Sequence, residues 1–309
     1  MRNMLEGILP VWKEKGMTSF ACVSKVRYLL NTKKVGHAGT LDPDVEGVLP
    51  IAVGRATRVL EFMLEADKAY TGEITVGYST TTEDASGDIV ERVAIEENKI
   101  TAPAVDQILD DFTGTLQQTP PMYSAVRVNG KRLYEYAFEG LEIERPTREV
   151  NIYKLERTSK ITYDREEKTA RFSFKVACGK GTYVRTLAVD IGKALGYPAH
   201  MSQLTRVQSG SILAEQTSTL KEIEEAVNTD TINNLFLSLD YGLEGFKKVA
   251  ITNELWKKVK HGQLLQVDEI QTEEFPVLLT YQDKAVALYD LHASKKNLIK
   301  PRKVFRTEL

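Results

Sequence analysis

Several stretches of the chain place apolar residues three or four positions apart, which is the spacing of an amphipathic helix. A hydroxyl residue at Thr18 or Ser19 precedes the first such pattern and predicts a helix that ends near Leu30. Similar patterns predict helices at residues 59–64, 101–112, 184–195, 220–238 and 254–261. Gly196 and then Pro198 follow the pattern at 184–195 and are typical of a helix end.

Other stretches alternate apolar and polar residues, which is the two-residue period of a half-exposed strand. This alternation predicts strands at residues 70–78 and 171–178, and in the tail near residues 277–281 and 285–291. The pair Asn129-Gly130 is typical of a two-residue hairpin turn. Residues 79–88 are polar and are predicted to form a mobile loop. The chain therefore combines helices with strands.

One stretch, residues 36–58, is dense in Gly, Pro and acidic residues. Gly36, Gly39 and Gly47 predict a loop, because glycine adopts backbone angles that other residues resist. Pro43 restricts the residue before it, Asp42, to an extended backbone. A carboxylate held in this way is typical of a preorganised acid, base or nucleophile. We therefore expect any chemistry to centre on this loop.

Composition narrows the classes of protein. The length of 309 residues fits one large domain with a smaller one, or two of medium size, and the 42% hydrophobic content supports a packed globular interior. The 41 basic and 43 acidic side chains nearly cancel, so total charge favours neither nucleic acid nor a membrane as partner. The chain has only two cysteines, Cys22 and Cys178, which excludes a disulfide framework and fits a reducing cytoplasm. Residues 1–13 lack an export signal, and no stretch approaches the ~18 apolar residues of a membrane span.

Common cofactor motifs do not fit this sequence. The acids from Asp42 to Glu46 resemble the start of a calcium loop, but Val53 stands where a bidentate Glu is required. The four histidines are scattered and form no zinc motif. The glycine-rich corner at residues 179–182 lacks the spacing of a phosphate-binding Walker loop. We expect neither a metal nor a nucleotide cofactor.

Aromatic and basic residues alternate in the segment 120–147. Rings at Tyr134, Tyr136 and Phe138 lie among several cations, which suits an arm that binds RNA, because bases stack on rings while cations meet phosphates. The same rings could equally pack into a core. Arg55 and Arg58, near the start of a predicted helix, are placed to bind an external anion or to lie on a solvated surface.

A set of short motifs follows one another along the chain. They are Lys13 to Ser19, the loop from Gly36 to Pro43 followed by Gly47-Val-Leu-Pro, Lys68-Ala-Tyr70, Pro120 to Ala125 with Asn129-Gly-Lys, Lys180 to Arg185, and Leu204-Thr-Arg206. In kind and in order these motifs resemble those of the TruB family, the tRNA pseudouridine-55 synthases, and the loop from Gly36 is similar to the catalytic loop of that family. Glu14 and Ala38 stand where the family often has Pro and Thr, and neither replaces the carboxylate.

The resemblance implies the fold and the domain organisation. We expect an α+β pseudouridine-synthase fold with a mixed, largely antiparallel central sheet flanked by helices. Residues 1–240 would form the catalytic domain, with residues 120–147 as an RNA-clamping insertion arm. Residues 247–309 would form a small, β-rich, PUA-like RNA-binding domain whose basic end meets the tRNA acceptor stem.

The resemblance also implies the reaction, which converts uridine 55 in the T arm of tRNA to its C-glycoside isomer. Asp42 would be the catalytic carboxylate, attacking C1′ or deprotonating C2′, with Arg185 paired to it. Tyr70 would stack on the uracil, Tyr183 would lie on the proton path, and His37 would fill the space that the flipped base leaves. The residues assigned to substrate binding are His37, Lys13, Leu204, Arg55, Arg58, Arg127, Lys131, Arg132 and Arg206.

The expected partner is therefore tRNA, bound by a cytoplasmic and monomeric enzyme. Two alternatives stay open at this point. A protein that binds or remodels tRNA without catalysis would keep the basic arm and tail but would not need Asp42. A carboxylate-dependent hydrolase would release free uracil.

Overall fold

The computed structural model describes residues 5–309. Residues 1–4, which belong to the stretch expected to lack an export signal, lie outside the described residues. The strands are β1 Gly7–Lys13, β2 Val35–His37, β3 Glu46–Val53, β4 Lys68–Val76, β5 Tyr78–Thr80, β6 Ile89–Arg92, β7 Gly114–Gln118, β8 Arg127–Val128, β9 Lys131–Arg132, β10 Arg148–Arg157, β11 Thr162–Asp164, β12 Thr169–Cys178, β13 Ala199–Ser209, β14 Ile212–Leu213, β15 Lys247–Ala250, β16 Leu265–Gln266, β17 Val277–Tyr281, β18 Lys284–Leu291 and β19 Leu298–Val304.

Seven α-helices are present in the described residues: α1 Ser19–Leu29, α2 Leu60–Glu65, α3 Ala102–Asp111, α4 Leu133–Phe138, α5 Val184–Ala194, α6 Leu220–Asn228 and α7 Asn253–Val259. Short 3₁₀ turns occupy Gly54–Val59, Ala214–Gln216, Ile232–Leu235, Leu239–Leu243 and Val267–Glu269. The predicted helix at 220–238 is wrong in its extent, because α6 ends at Asn228 and Asp230 adopts a left-handed φ of 57°. The Thr18 side chain accepts a hydrogen bond from Ala21 N, as its predicted capping role requires.

A ten-stranded sheet forms the body of the protein, with the main order β1-β3-β13-β4-β12-β10-β7. Among the described residues, its pairings are antiparallel except that of β13 with β3, so the expected mixed, largely antiparallel sheet is confirmed. The predicted loop 36–58 is wrong in one part, because residues 46–53 form the buried strand β3. Pro50 hid this strand from the sequence pattern, and it pairs in register with Pro10.

Both faces of this sheet are covered at one end. Leu9 and Val11 of β1 pack with the main core, which also contains residues of α1, α3, α5 and α6. Ile8, on the opposite face of β1, packs with Phe62 and with Phe305 near the end of the chain. Alternate residues of one strand therefore bind the helical layer and the C-terminal β-domain, as the two-residue period requires.

The C-terminal residues form a second sheet of five strands, in the order β15-β17-β18-β19-β16. The expected small β-rich unit is thus confirmed as a structure. Its docking on the body uses several cations of the basic tail. Arg306 pairs with Asp240 at 2.9 Å and Lys303 pairs with Glu61 at 2.6 Å. The guanidinium of Arg302 lies 5.4 Å from the ring centre of Phe62.

Gly47→Ala tests how closely β3 meets β13. Gly47 has a φ of +124°, and a Cβ atom there would lie 2.2 Å from the carbonyl oxygen of Arg206. Backbone strain of about 1–3 kcal/mol and overpacking of about 1–3 kcal/mol should together lower the free energy of unfolding. Chemical denaturation measures the loss.

Gly114→Ala is the matched control, because Gly114 has a φ of +113° and nothing lies within 4 Å of the position that its Cβ atom would take. It should show the backbone strain alone. Equal losses for the two variants would contradict the close approach of β3 and β13.

Candidate functional site

A cleft of about 810 Å³ opens between the loop at residues 37–45, α1, α5 and the segment at residues 120–147, which we call the arm. The following residues line it: Thr18, Ser19, Phe20, His37, Gly39, Thr40, Leu41, Asp42, Pro43, Val45, Leu64, Lys68, Tyr70, Tyr123, Ser124, Ala125, Arg132, Tyr134, Cys178, Gly179, Gly181, Thr182, Tyr183, Val184, Arg185, Leu204 and Arg206. The structure therefore brings together Asp42, Tyr70, Tyr183, Arg185 and His37, which the sequence placed far apart.

The centre of the cleft is an ion pair between Asp42 and Arg185. Arg185 Nε lies 3.1 Å from Asp42 Oδ2. The side chain of Arg185 is 7% exposed, while that of Asp42 is 41% exposed. The guanidinium is thus a fixed support, and the carboxylate remains open to a molecule in the cleft.

Two opposing effects act on the Asp42 carboxyl. The cleft walls displace water around it, and this desolvation raises its pKa above the ordinary value. The Arg185 guanidinium opposes the rise, whereas the nearby Asp84 carboxylate adds to it. The result is a carboxylate that is more basic than a free one and that is still held by a cation.

Arg185 is fixed by groups outside the loop that carries Asp42. Its Nη1 donates to the Thr82 carbonyl at 2.9 Å, and its Nη2 donates to the Tyr123 carbonyl at 2.8 Å. A second carboxylate, Asp84 Oδ2, lies 3.7 Å from Nη1. The start of helix α5, the arm and the turn between β5 and β6 therefore converge on one guanidinium.

The segment at residues 79–88, which the sequence predicts to be a mobile loop, contains the end of β5 and is tied to itself by side-chain hydrogen bonds. Asp84 Oδ1 accepts from the Thr82 hydroxyl at 2.7 Å and from Ser86 N at 2.9 Å. The Thr80 hydroxyl donates to the Asp84 carbonyl at 2.6 Å. Sequence reasoning missed Asp84; the Thr and Ser residues that flank it were the available signal for such a turn.

Two buried cations support the loop that carries Asp42. The Lys13 ammonium is fully buried and donates to the carbonyls of Glu14, Met17 and Pro43 at 2.7–3.0 Å. Arg206, 1% exposed, donates to the carbonyls of Val48 and Gly39 at 2.7 and 3.1 Å. Both residues lie against the backbone of the loop, away from open solvent.

Tyr70 and Leu204 form one wall of the cleft from adjacent strands. Tyr70 lies on β4 directly opposite Arg206 of β13, two residues from Leu204. Burial raises the pKa of the Tyr70 phenol, and the Arg206 guanidinium opposes that rise. The wall therefore offers a neutral ring and an apolar side chain.

Tyr183 precedes the first turn of α5 and is held by its backbone. Its N–H donates to Gln118 Oε1 at 2.7 Å, and Gln118 Nε2 donates to its carbonyl at 3.0 Å. Burial raises the pKa of the Tyr183 phenol, so its hydroxyl keeps its proton near neutral pH. His37 ends β2 on another side of the cleft, and burial lowers its pKa, which favours an uncharged ring.

Arg55 and Arg58 do not line the cleft. Arg55 forms an ion pair with Glu6, and Arg58 Nη1 donates to the carbonyl of Val304 at 3.0 Å. Arg58 thus binds the C-terminal domain.

The predicted binding residues of the arm lie in different surroundings. Asn129 and Gly130 have φ values of 51° and 83°, so the predicted hairpin turn between β8 and β9 is confirmed. Arg132 lines the cleft, Lys131 pairs with Glu139, and Arg127 is exposed. The Arg132 guanidinium donates to the Tyr134 hydroxyl at 2.8 Å.

Lys68 and Phe20 also line the cleft and had no role assigned from the sequence. Burial lowers the pKa of Lys68 to about 8. Its ammonium donates to the carbonyl of Leu64 at 2.8 Å and also to that of Ala66. Only its place beside Tyr70 in one motif pointed to Lys68 beforehand.

Within residues 5–309, no cluster of three or more His, Cys, Asp or Glu side chains is arranged to hold a metal ion. Over the same range, no helix is both long enough and apolar enough to cross a membrane.

Solved structures share this architecture over nearly the whole chain. A chain of the Cbf5-Nop10-Gar1 complex superposes with a TM-score of 0.74 at 28% identity, covering 97% of this chain and 85% of that chain. A chain of an H/ACA RNP bound to a substrate RNA containing 2′-deoxyuridine gives a TM-score of 0.71 at 25% identity, with coverages of 97% and 85%.

Sequence comparisons agree with the structural ones. The chain is 50% identical to tRNA pseudouridine synthase B of Halalkalibacterium halodurans, over 98% of this chain and 99% of that protein. It is 46% identical to the protein of the same name from Limosilactobacillus reuteri, over 97% and 99%. The model of the TruB family pseudouridylate synthase N-terminal domain matches residues 27–184, and that of the tRNA pseudouridylate synthase B C-terminal domain matches residues 185–244. The chain therefore belongs to the TruB family of pseudouridylate synthases.

Proposed function

We propose that this protein is a tRNA pseudouridine synthase that converts uridine 55 of the T arm to pseudouridine. The observation that carries the proposal is the half-open Asp42 carboxylate paired with buried Arg185 in a large cleft, in a chain of this family. The reaction breaks the bond between N1 and C1′, forms a bond between C5 and C1′, and moves a proton from C5 to N1. Substrate and product have the same atoms and electrons.

Asp42 is the group that acts on the ribose. Its exposed oxygens can reach a nucleotide in the cleft, and they attack C1′ or remove the proton from C2′. Arg185 keeps Asp42 ionised against the desolvation that a bound base completes. A raised pKa serves either role, because it makes the carboxylate a better base and a better nucleophile.

Tyr70 and Leu204 hold the uracil ring against their shared wall. The phenol of Tyr183 keeps its proton, so we assign it the part of a hydroxyl relay on the path of the C5 proton. Flipping the base out of the folded T arm costs a few kcal/mol. The uncharged ring of His37 offsets part of this cost by stacking in the vacated space.

The remaining predicted binding residues divide by location. Arg127, Lys131 and Arg132 belong to the arm at residues 120–147, which we propose clamps the RNA. Lys13 and Arg206 position the catalytic loop through its carbonyl oxygens. Arg55 forms an ion pair with Glu6, and Arg58 donates to the Val304 carbonyl at the domain junction. We therefore propose that both stabilise the fold and do not contact RNA.

Residues 247–309 are proposed to be a PUA-like RNA-binding domain that follows a catalytic domain at residues 1–240. Of the six cations in its tail, Arg302, Lys303 and Arg306 are engaged with the body, whereas Lys295, Lys296 and Lys300 are exposed. The three exposed lysines are therefore the part of the tail that we propose meets the tRNA acceptor stem. We further propose that the protein acts as a monomer.

Asp42→Asn should reduce pseudouridine formation in unmodified tRNA by about 10²–10⁴-fold or more, because the amide is neither a base nor a nucleophile. Asp44→Asn is the matched control, since Asp44 is an exposed acid in the same loop and should keep activity near that of the wild type. Pseudouridine is mapped by position, and RNA mass is measured in parallel.

An active Asp42→Asn protein would favour the alternative of RNA binding or remodelling without catalysis. Release of free uracil, with the matching loss of RNA mass, would identify a hydrolase instead.

The pH dependence of kcat/KM should show the charge state of Asp42. Because burial raises the pKa of this carboxyl, activity should be present at high pH and should be lost, as pH falls, above the ordinary carboxyl range. Arg185→Gln removes the opposing cation and should move this acid limb to higher pH. Asp84→Asn removes a nearby negative charge and should move it to lower pH. Shifts of the two variants in the same direction would contradict the assignment.

Replacing Lys295, Lys296 and Lys300 together with Gln should weaken tRNA binding and reduce the slope of log Kd against log salt. Each lost phosphate contact lowers that slope by about 0.7–0.9. Deleting the domain is a poorer test, because Leu278, Leu288 and Phe305 share a core cluster with the body. Lys221→Gln, an exposed lysine of α6, is the control. An unchanged salt slope in the triple variant would exclude the tail from RNA binding.

A further inference from the structure

Phe20 is an apolar ring that the fold leaves in the mouth of the cleft. It lies in the first turn of α1, on the side opposite to the buried residues Cys22, Val23 and Val26. The side chain is 63% exposed and lines the same cleft as Asp42. An isolated exposed aromatic residue on a surface needs no explanation, but this one faces the space that the substrate enters.

The position of Phe20 is fixed relative to the catalytic carboxylate. The neighbouring Ser19 hydroxyl accepts from Leu41 N at 2.9 Å and donates to Leu41 O at 3.1 Å, directly before Asp42. Gly16 N donates to the Pro43 carbonyl at 2.9 Å, directly after Asp42. Hydrogen bonds therefore join the start of α1 to the loop on both sides of Asp42.

The surroundings of the ring are cationic. The guanidinium carbon of Arg27 lies 5.9 Å from the ring centre of Phe20, and Arg27 Nη2 donates to the Val35 carbonyl at 2.8 Å. Exposed rings beside cations are the platform on which proteins stack unpaired bases of RNA, and a flipped uridine leaves its neighbours in the strand partly unstacked.

Resting on the proposed function, we propose that Phe20 forms a second base subsite, which stacks on the nucleobase directly next to the flipped uridine in the RNA strand. Stacking on a ring that is rigidly joined to the catalytic loop sets the depth at which the uridine sugar lies against Asp42. The subsite recognises the π face of a base, so it tolerates any of the four bases.

The test compares Phe20→Ala with Phe20→Trp on T-arm stem-loop RNAs. Base–aromatic stacking contributes enough that Phe20→Ala should weaken RNA binding about tenfold, measured in the Asp42→Asn background so that the RNA is not converted. Phe20→Trp should bind within about threefold of the parent, because the indole keeps a π face. Two further RNAs lack the base on the 5′ or the 3′ side of the target, and the effect of Phe20→Ala should disappear on one of them.

Tyr28→Ala is the matched control. Tyr28 is 78% exposed on the same helix, has the Lys25 ammonium 5.9 Å from its ring centre, and lies outside the cleft lining. It should bind RNA as the parent does. Parental binding by Phe20→Ala, an equal loss in Tyr28→Ala, or an undiminished effect of Phe20→Ala on both abasic RNAs would each overturn the subsite.

Different results would contradict the proposed subsite and the proposed activity. If wild-type protein forms no pseudouridine but Phe20→Ala still shows the base-dependent binding loss, the activity is wrong and the subsite stands. If wild-type protein is active and Phe20→Ala binds normally, the subsite is wrong and the activity stands.

Discussion

The Arg185 guanidinium is a buried cation, and such a group is tolerated only where acceptors and opposite charges surround it. Its partners come from three separate parts of the chain: the loop at Asp42, the β5–β6 turn at Thr82 and Asp84, and the arm at Tyr123. Satisfying this one side chain therefore brings the loop, the turn and the root of the arm to the start of α5. The same requirement places the Asp42 carboxylate where it is held on one side and open on the other.

The loop that carries Asp42 depends on other side chains in a similar way. A glycine-rich loop leaves carbonyl groups that no helix or sheet satisfies. Lys13 and Arg206 supply the missing donors from β1 and β13, and they reach carbonyls on both sides of Asp42. Lys13 and Arg206, which the family motifs suggested as RNA contacts, thus hold the backbone of the loop. Their burial is what distinguishes this supporting position from an RNA contact.

The domain junction shows the same division among surface charges. Arg58 donates to carbonyls of residues 304 and 305, and Arg306 pairs with Asp240, so part of the basic tail is occupied within the protein. The aromatic rings of Phe62, Phe246 and Phe305 pack edge to face beneath these contacts. The exposed lysines at 295, 296 and 300 take no part in these docking contacts, so an RNA bound to them would not compete with docking.

The elements with a strong local signal, and the family, could be predicted from the amino-acid sequence. The helix after Thr18, the Asn129-Gly130 turn and the strand at residues 171–178 follow from capping, backbone angles and periodicity, which are properties of neighbouring residues. The sequence also singled out Asp42, because Pro43 restricts the backbone of this residue within a loop that several Gly residues predict. The strand β3, which is buried on both faces and contains Pro50, and the approach of Asp84 to Arg185 became visible only in the folded chain. The sequence could not predict that Lys13 is buried while Phe20 is exposed. Burial and charge pairing depend on residues that meet only when distant segments pack together.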